Sequence, residues 1–241
     1  MSNSKIEWTE VTWNPVTGCS KVSPGCQNCY AERMSARLKA MNSKNYQNGF
    51  KVTCHKHLLE TPISWTKGRT IFVNSMSDIF HEDVPSAFIA EIFNTMNRAP
   101  QHIFQVLTKR SERLLKMNTF LNWTENIWMG VTVEGPDYKY RIEDLKKSAA
   151  ITKFLSIEPL IERIGHIDLD GINWVIVGGE SGPRSRPIKE EWVVEIKEQC
   201  QNSDVPFFFK QWGGTNKKKT GRLLNGKVWD ETPTKHKPIK P

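Results

Sequence analysis

The chain has no run approaching the roughly 20 consecutive apolar residues of a membrane-spanning helix. Its first ten residues, MSNSKIEWTE, lack the apolar stretch of a secretory signal. Both absences predict a cytoplasmic protein without a membrane partner. An even complement of cysteines is also missing: there are five, three of them within residues 19–29. In a cytosolic chain of this size that argues against a disulfide framework and for metal binding. No internal repeat and no low-complexity segment occurs, which excludes solenoid and fibrous architectures. Net charge is small over the residues outside the C-terminal end taken together. Residues 216–241 carry eight Lys/Arg and two Asp/Glu, so the other 215 residues supply only +2 of the net +8. Basicity thus reads as mostly a property of the tail, which suits either phosphate contact or a solvated terminus.

What is present is a core of useful size: 241 residues, 38% hydrophobic, with nine tryptophans. Short runs rich in β-branched and aromatic residues recur at Thr70–Asn74, His102–Leu107, Ile127–Val133, Lys153–Ile157, Asn173–Val177 and Pro206–Phe209. They are apolar at both parities, as in parallel strands buried on two faces. A less defined strand is expected before Cys19. Between the runs lie helical periodicities. Ser86–Asn97 aligns Phe88, Ile89, Ile92, Phe93 and Met96; Glu190–Gln201 aligns Trp192, Val193, Ile196 and Cys200. Tyr30–Met41 aligns Met34, Leu38 and Met41, and Ser111 is a candidate cap for Ser111–Met117. The alternation predicts an α/β fold, a partial (βα)6-type TIM barrel with a cysteine-rich loop near its N-terminus. Residues 1–215 would form the barrel and residues 216–241 a basic tail.

Each strand run ends in residues able to do chemistry: Ser75, Ser77 and Asp78; Lys109 and Arg110; Glu134; Glu158; Gly178, Gly179 and Glu180; Lys210, Gln211 and Trp212. Active sites of βα barrels form at the C-terminal strand ends. Lys109, Glu158 and Lys210 are the candidate catalytic residues. Arg184 and Arg186 are candidate phosphate ligands, and His81 a candidate proton donor. His55 and His57 read as surface residues.

The cysteines Cys19, Cys26 and Cys29 are spaced C-x6-C-x2-C. A closed zinc tetrahedron needs a fourth ligand, for which Cys54–His57 is the nearest candidate. Cys200 falls on an apolar helix face and reads as a core thiol. The other reading is a four-iron cluster held by three thiolates, one iron staying open to a small molecule. Gly18, Pro24 and Gly25 would let the loop turn around such a group.

At the cysteine loop the chain resembles radical S-adenosylmethionine (SAM) enzymes. Their common spacing is C-x3-C-x2-C, from which this chain departs in the first gap. The stretches "TWNPVTGCSKVSPGCQNCYAERM", "FVNSMSDIFHEDVP", "FQVLTKR", "GVTVE", "SIEPL", "WVIVGGESGP" and "VPFFFKQWG" are similar to a phage- and prophage-associated family of three-cysteine proteins, over about residues 6–232. That family resembles radical SAM proteins of the spore photoproduct lyase kind, which act on DNA.

The resemblance implies a [4Fe–4S] cluster on Cys19, Cys26 and Cys29, with SAM on the fourth iron. It implies SAM contacts from Ser75, Ser77 and Asp78, although the Gly-Gly-Glu segment of relatives is absent there. It further implies adenosine or ribose contacts from Gly178, Gly179, Glu180 and Glu134. One-electron cleavage of SAM to a 5′-deoxyadenosyl radical would follow, fed by an external electron donor, to modify or repair a nucleic acid or nucleotide. Two alternatives stay open: a zinc-stabilised nucleic-acid-binding protein, and a non-catalytic radical SAM-like partner protein.

Overall fold

The computed structural model describes residue 4 and residues 6–233. The last stretch of the expected basic tail, residues 234–241, lies outside the described residues. Strands are β1 (Val11–Trp13), β2 (Val16–Thr17), β3 (Thr53–Cys54), β4 (Thr70–Val73), β5 (Ile103–Thr108) and β6 (Ile127–Thr132). They continue as β7 (Thr152–Ile157), β8 (Trp174–Gly178), β9 (Phe207–Gln211), β10 (Leu223–Leu224) and β11 (Lys227–Val228). Helices are α1 (Tyr30–Ala40), α2 (Ser86–Asn97), α3 (Ser111–Met117), α4 (Tyr140–Lys147), α5 (Glu190–Asn202) and α6 (Lys217–Thr220).

Seven strands form one sheet in the order β1-β4-β5-β6-β7-β8-β9, all pairs parallel, curled into a half-barrel. Each strand of this sheet lies beside the next one of the sheet in chain order, and the parallel pairing makes every connection between them a crossover. The apolar-at-both-parities pattern has its reason here: every residue of β6 and β8 is buried. Odd and even residues serve different layers. Val106, Met129, Leu155, Ile157, Val175 and Phe209 join α2, α3, α4 and α5 in the outer core. Trp128, Phe154, Trp174, Ile176 and Phe208 join Trp8 in a second, aromatic cluster on the inner face, with Phe72 packed against it. The ring of Trp174 lies 6.2 Å from those of Trp8 and Trp128, 5.8 Å from Phe154 and 5.9 Å from Phe208. Gly130 makes room for this filling, because a Cβ there would sit 2.4 Å from the Phe154 ring. Residues after β9 fold back on it: Phe209 donates its amide to the Trp229 carbonyl, and Trp174 donates its indole N–H to that of Glu231, both at 2.8 Å.

Several local expectations need correction. The face that α1 buries is Ala31 and Ser35, while Met41 lies past its end and is 66% exposed. Ser111 is not a cap; its hydroxyl donates to Asp144 across to α4. His55 is buried against the Thr17 hydroxyl at 2.8 Å, and only His57 is at the surface. Helix α4 is absent from the sequence-based reading because its apolar content is only Ile142 and Leu145, with a buried Arg141 beside them. Among the described residues no helix is long and apolar enough to cross a membrane.

Candidate metal centre

The loop carrying Cys19, Cys26 and Cys29 leaves β2 and ends at the first turn of α1. Its exit is set by Gly18, whose positive φ of 84°, with the Lys51 carbonyl oxygen 2.2 Å from where a Cβ would stand, leaves no room for a side chain. The loop then crosses the C-terminal ends of the strands, where side chains from four of them hold it. Arg110, after β5, donates to Cys19 Sγ at 3.5 Å and to the carbonyl and hydroxyl of Ser20 at 3.2 and 3.0 Å. Ser23 donates to Glu134, after β6, at 2.5 Å, and Gly25 packs so closely on that carboxylate that a Cβ would meet it at 2.5 Å. Glu180, after β8, accepts from Asn28 at 3.0 Å, while Arg186 donates to the Pro24 carbonyl at 3.0 Å. After β4, His81 pairs with the Ser20 hydroxyl at 2.8 Å, and Asp78 fixes Arg110 itself, accepting at 3.3 Å.

These anchors are locked in turn. Asp78 also accepts from the Thr108 hydroxyl and the Phe80 and Lys109 amides. Glu134 is fully buried, with Lys109 at 2.6 Å on one oxygen and Arg141 at 2.8 Å on the other. Burial alone would raise its pKa, but the two cations outweigh that and hold it below the ordinary carboxylate range. Glu180 is likewise held low despite burial, by Arg186 on both oxygens and by Asn28.

The three sulfurs belong to one electrostatic group: Cys26 raises the pKa of both Cys19 and Cys29. Burial, then the Asp78 charge, pushes Cys19 up to about 11 against the pull of Arg110, and burial raises Cys29. Without metal, Cys19 is a neutral thiol at pH 7, and binding iron would displace its proton. All five cysteines are free. Cys54 sits on β3 opposite Val16, and Cys200 is buried in α5. Among the described residues no three His, Cys, Asp or Glu side chains converge as a single-ion site. The half-buried loop offers three thiols, a donor set that suits an iron–sulfur cluster with one iron left open; a closed zinc tetrahedron would need a fourth ligand.

The remaining sequence-named residues are placed as follows. Ser75 and Ser77 follow β4 and donate to Asn14 and to the Val16 carbonyl, leaving their oxygens able to accept. Asn74 beside them is buried, with its Nδ2 unpartnered. Gly178 and Gly179 are glycine for the chain's own packing. A Cβ on Gly179 would meet the Trp212 carbonyl at 2.1 Å, and one on Gly178 would press on Glu158 and Lys210 at 3.3 and 3.4 Å. Lys210 bonds both oxygens of Glu158 at 2.6 and 2.9 Å, and among the described residues the two side chains bond nothing else. His81 is buried and paired with the Ser20 hydroxyl at 2.8 Å. Sequence reading missed Asn14, Ser23, Asn28, Asn74 and Arg141. Only the acid-rich strand ends hinted that cations would have to face them.

A model of the family described as "Protein of unknown function (DUF5131)" matches residues 3–233. No curated protein matches the chain. Among solved structures it is similar to spore photoproduct lyase complexed with dinucleoside spore photoproduct, at 12% identity and TM-score 0.48. It is also similar to a mutant of that lyase with bound AdoMet and dinucleoside spore photoproduct, at 10% identity and TM-score 0.49. Each comparison covers 83% of this chain, which spans 63% of the length of the lyase chains.

Proposed function

We propose, for a chain that belongs to the DUF5131 family, that Cys19, Cys26 and Cys29 hold a [4Fe–4S] cluster with one iron left open for SAM, and that the enzyme modifies a nucleic acid. The observation that carries this is the lacing of a three-thiol loop, with no fourth cysteine, onto four strand ends, by His81, Arg110, Glu134 and Glu180. The cluster and SAM together would supply a 5′-deoxyadenosyl radical. The protein's own work is to place and shield that chemistry.

Asp78, Glu134 and Glu180 hold the loop in this reading instead of touching SAM, because their oxygens are already engaged by Arg110, Lys109, Arg141, Arg186 and Asn28. Ser75, Ser77 and Asn74 are the groups left to bind the amino and carboxylate ends of SAM. Glu158 and Lys210, whose side chains among the described residues are partnered only by each other, would face the substrate; opening their ion pair offers one acid and one base at the barrel mouth.

The test is anaerobic reconstitution with iron and sulfide analysis and electron paramagnetic resonance with and without SAM. About four irons per chain and a SAM-dependent spectrum are expected, and Cys26→Ala should abolish assembly while leaving the circular dichroism intact. One bound zinc and no iron would sink the reading. It would leave a binding module closed by Cys54–His57.

A further inference from the structure

Basic charge is not confined to the C-terminal end. Residues 20–57 carry seven Lys/Arg and one Asp/Glu, a net +6 that equals that of residues 216–241. This segment starts in the cysteine loop, runs through α1 and ends past β3. On α1, Tyr30, Arg33 and Arg37, followed by Met41, recur at three- and four-residue steps and so share one stripe, away from the buried Ala31 and Ser35. All four are exposed, Tyr30 at 59%. The single acid, Glu32, lies off the stripe and is paired with Lys21 at 3.2 Å. Among the described residues Arg37, Lys39, Lys44, Lys51 and Lys56 meet no carboxylate and are all exposed.

The stripe is joined to the barrel mouth. Arg33 donates to the Ser181 carbonyl at 3.1 Å and packs on Gly182, where a Cβ would strike its guanidinium. The loop it touches carries exposed Arg184, whose carbonyl accepts from Asn28 beside Cys29 at 3.0 Å. A line of arginines that meet no carboxylate among the described residues, with an exposed aromatic among them, therefore runs from the 181–184 loop, past the cysteine loop, along α1.

We infer that this line is the docking surface of a single-stranded nucleic acid, with Arg33, Arg37 and Arg184 on its phosphates and Tyr30 under a base. The cations favour a polyanion. The tyrosine favours a single strand, because a duplex hides the base faces on which an aromatic stacks. The inference rests on the nucleic-acid half of the proposed function and not on the cluster.

Fluorescence anisotropy of the full chain with a labelled mixed-sequence 20-mer, titrated from about 50 to 200 mM salt, tests it. The triple variant Arg33→Gln/Arg37→Gln/Arg184→Gln should flatten the salt dependence by about two log units per log unit of salt, at about 0.7 for each phosphate that is no longer neutralised. Tyr30→Ala should weaken binding about tenfold. Lys67→Gln/Lys116→Gln, at the opposite ends of the strands, should bind as the parent does, and all variants should keep the parent's iron content. Parent-like binding by the triple variant overturns the surface alone. A duplex or polyglutamate that outcompetes the single strand also overturns it. A parent that binds no oligonucleotide overturns both the surface and the nucleic-acid substrate, leaving the cluster assignment standing on its iron analysis.

Discussion

Glu134→Gln is the most informative single substitution. The carboxylate is fully buried and neutralises Lys109, 20% exposed, and Arg141, 1% exposed. Gln keeps the shape and removes the charge, leaving the Arg141 guanidinium buried without its counter-ion. Breaking a buried pair in this way costs about 3–5 kcal/mol. For a domain of this size each kcal/mol moves Tm by about 2–4 °C, so a drop on the order of 10 °C is expected. Urea unfolding at pH 7 measures the free energy, and the double variant Glu134→Gln/Arg141→Met should recover part of it. The pH dependence has a defined sign. Because the Glu134 carboxyl is held below its ordinary value, its stabilisation is present above the unfolded carboxyl pKa of about 4.3. It is lost as pH falls through the folded value, so parent and variant should converge in acid. The loop should loosen as well, since Gln leaves one acceptor oxygen for the three donors Ser23, Lys109 and Arg141 that Glu134 serves with two; thiol reagents should reach the cysteines of iron-free protein faster. A variant within about 1 kcal/mol of the parent at pH 7 refutes the buried-triad account.

Gly130→Ala would force a methyl into the Phe154 ring, and the overpacking should destabilise the protein by about 1–3 kcal/mol, with Phe154→Leu restoring the urea midpoint. Cys200, fully buried with its thiol pushed to about 12 chiefly by burial, should stay unreactive toward a disulfide reagent in native iron-free protein at about pH 8 and react only in urea. A double-mutant cycle on Glu158→Gln and Lys210→Met should show a coupling of about 0.5–3 kcal/mol, and each single variant should lose turnover while keeping its iron.

The fold was legible where periodicity was dense. The bounds Ser86–Asn97 and Ser111–Met117 are those observed, because five apolar residues on one face of α2 leave no other packing. Strand ends moved by one or two residues, as sheet pairing and not composition sets them. The short β2–β3 pair was invisible because two residues carry no period. At the site the cysteines and acids stood out, but their partners did not. Ser23 reaches Glu134 across 111 positions and Asn28 reaches Glu180 across 152, separations at which a sequence carries no pairing signal. The burial of Arg141 was illegible for a related reason: an arginine inside a fold is tolerable only if its carboxylate is there, and that carboxylate is supplied by the turn after β6. The stripe on α1 was missed although its helix was expected, since the apolar spacing sets Met41 on the buried face, which Ala31 and Ser35 form instead.

The aromatic floor of the half-barrel has an optical consequence. Trp174 lies 6.2 Å from both Trp8 and Trp128, crossing them at 83° and 78°, so three indole chromophores are coupled without being stacked. Coupled transitions at such angles split into bands of opposite rotational strength, giving an ultraviolet dichroism signature that belongs to the floor and to no single residue. Trp8 comes from the segment before β1, and Trp174 is bonded to the chain after β11, so both ends of the described chain meet in that signal. Its amplitude offers a label-free report of whether the two ends are closed around the sheet, readable in the same sample before iron is added and after.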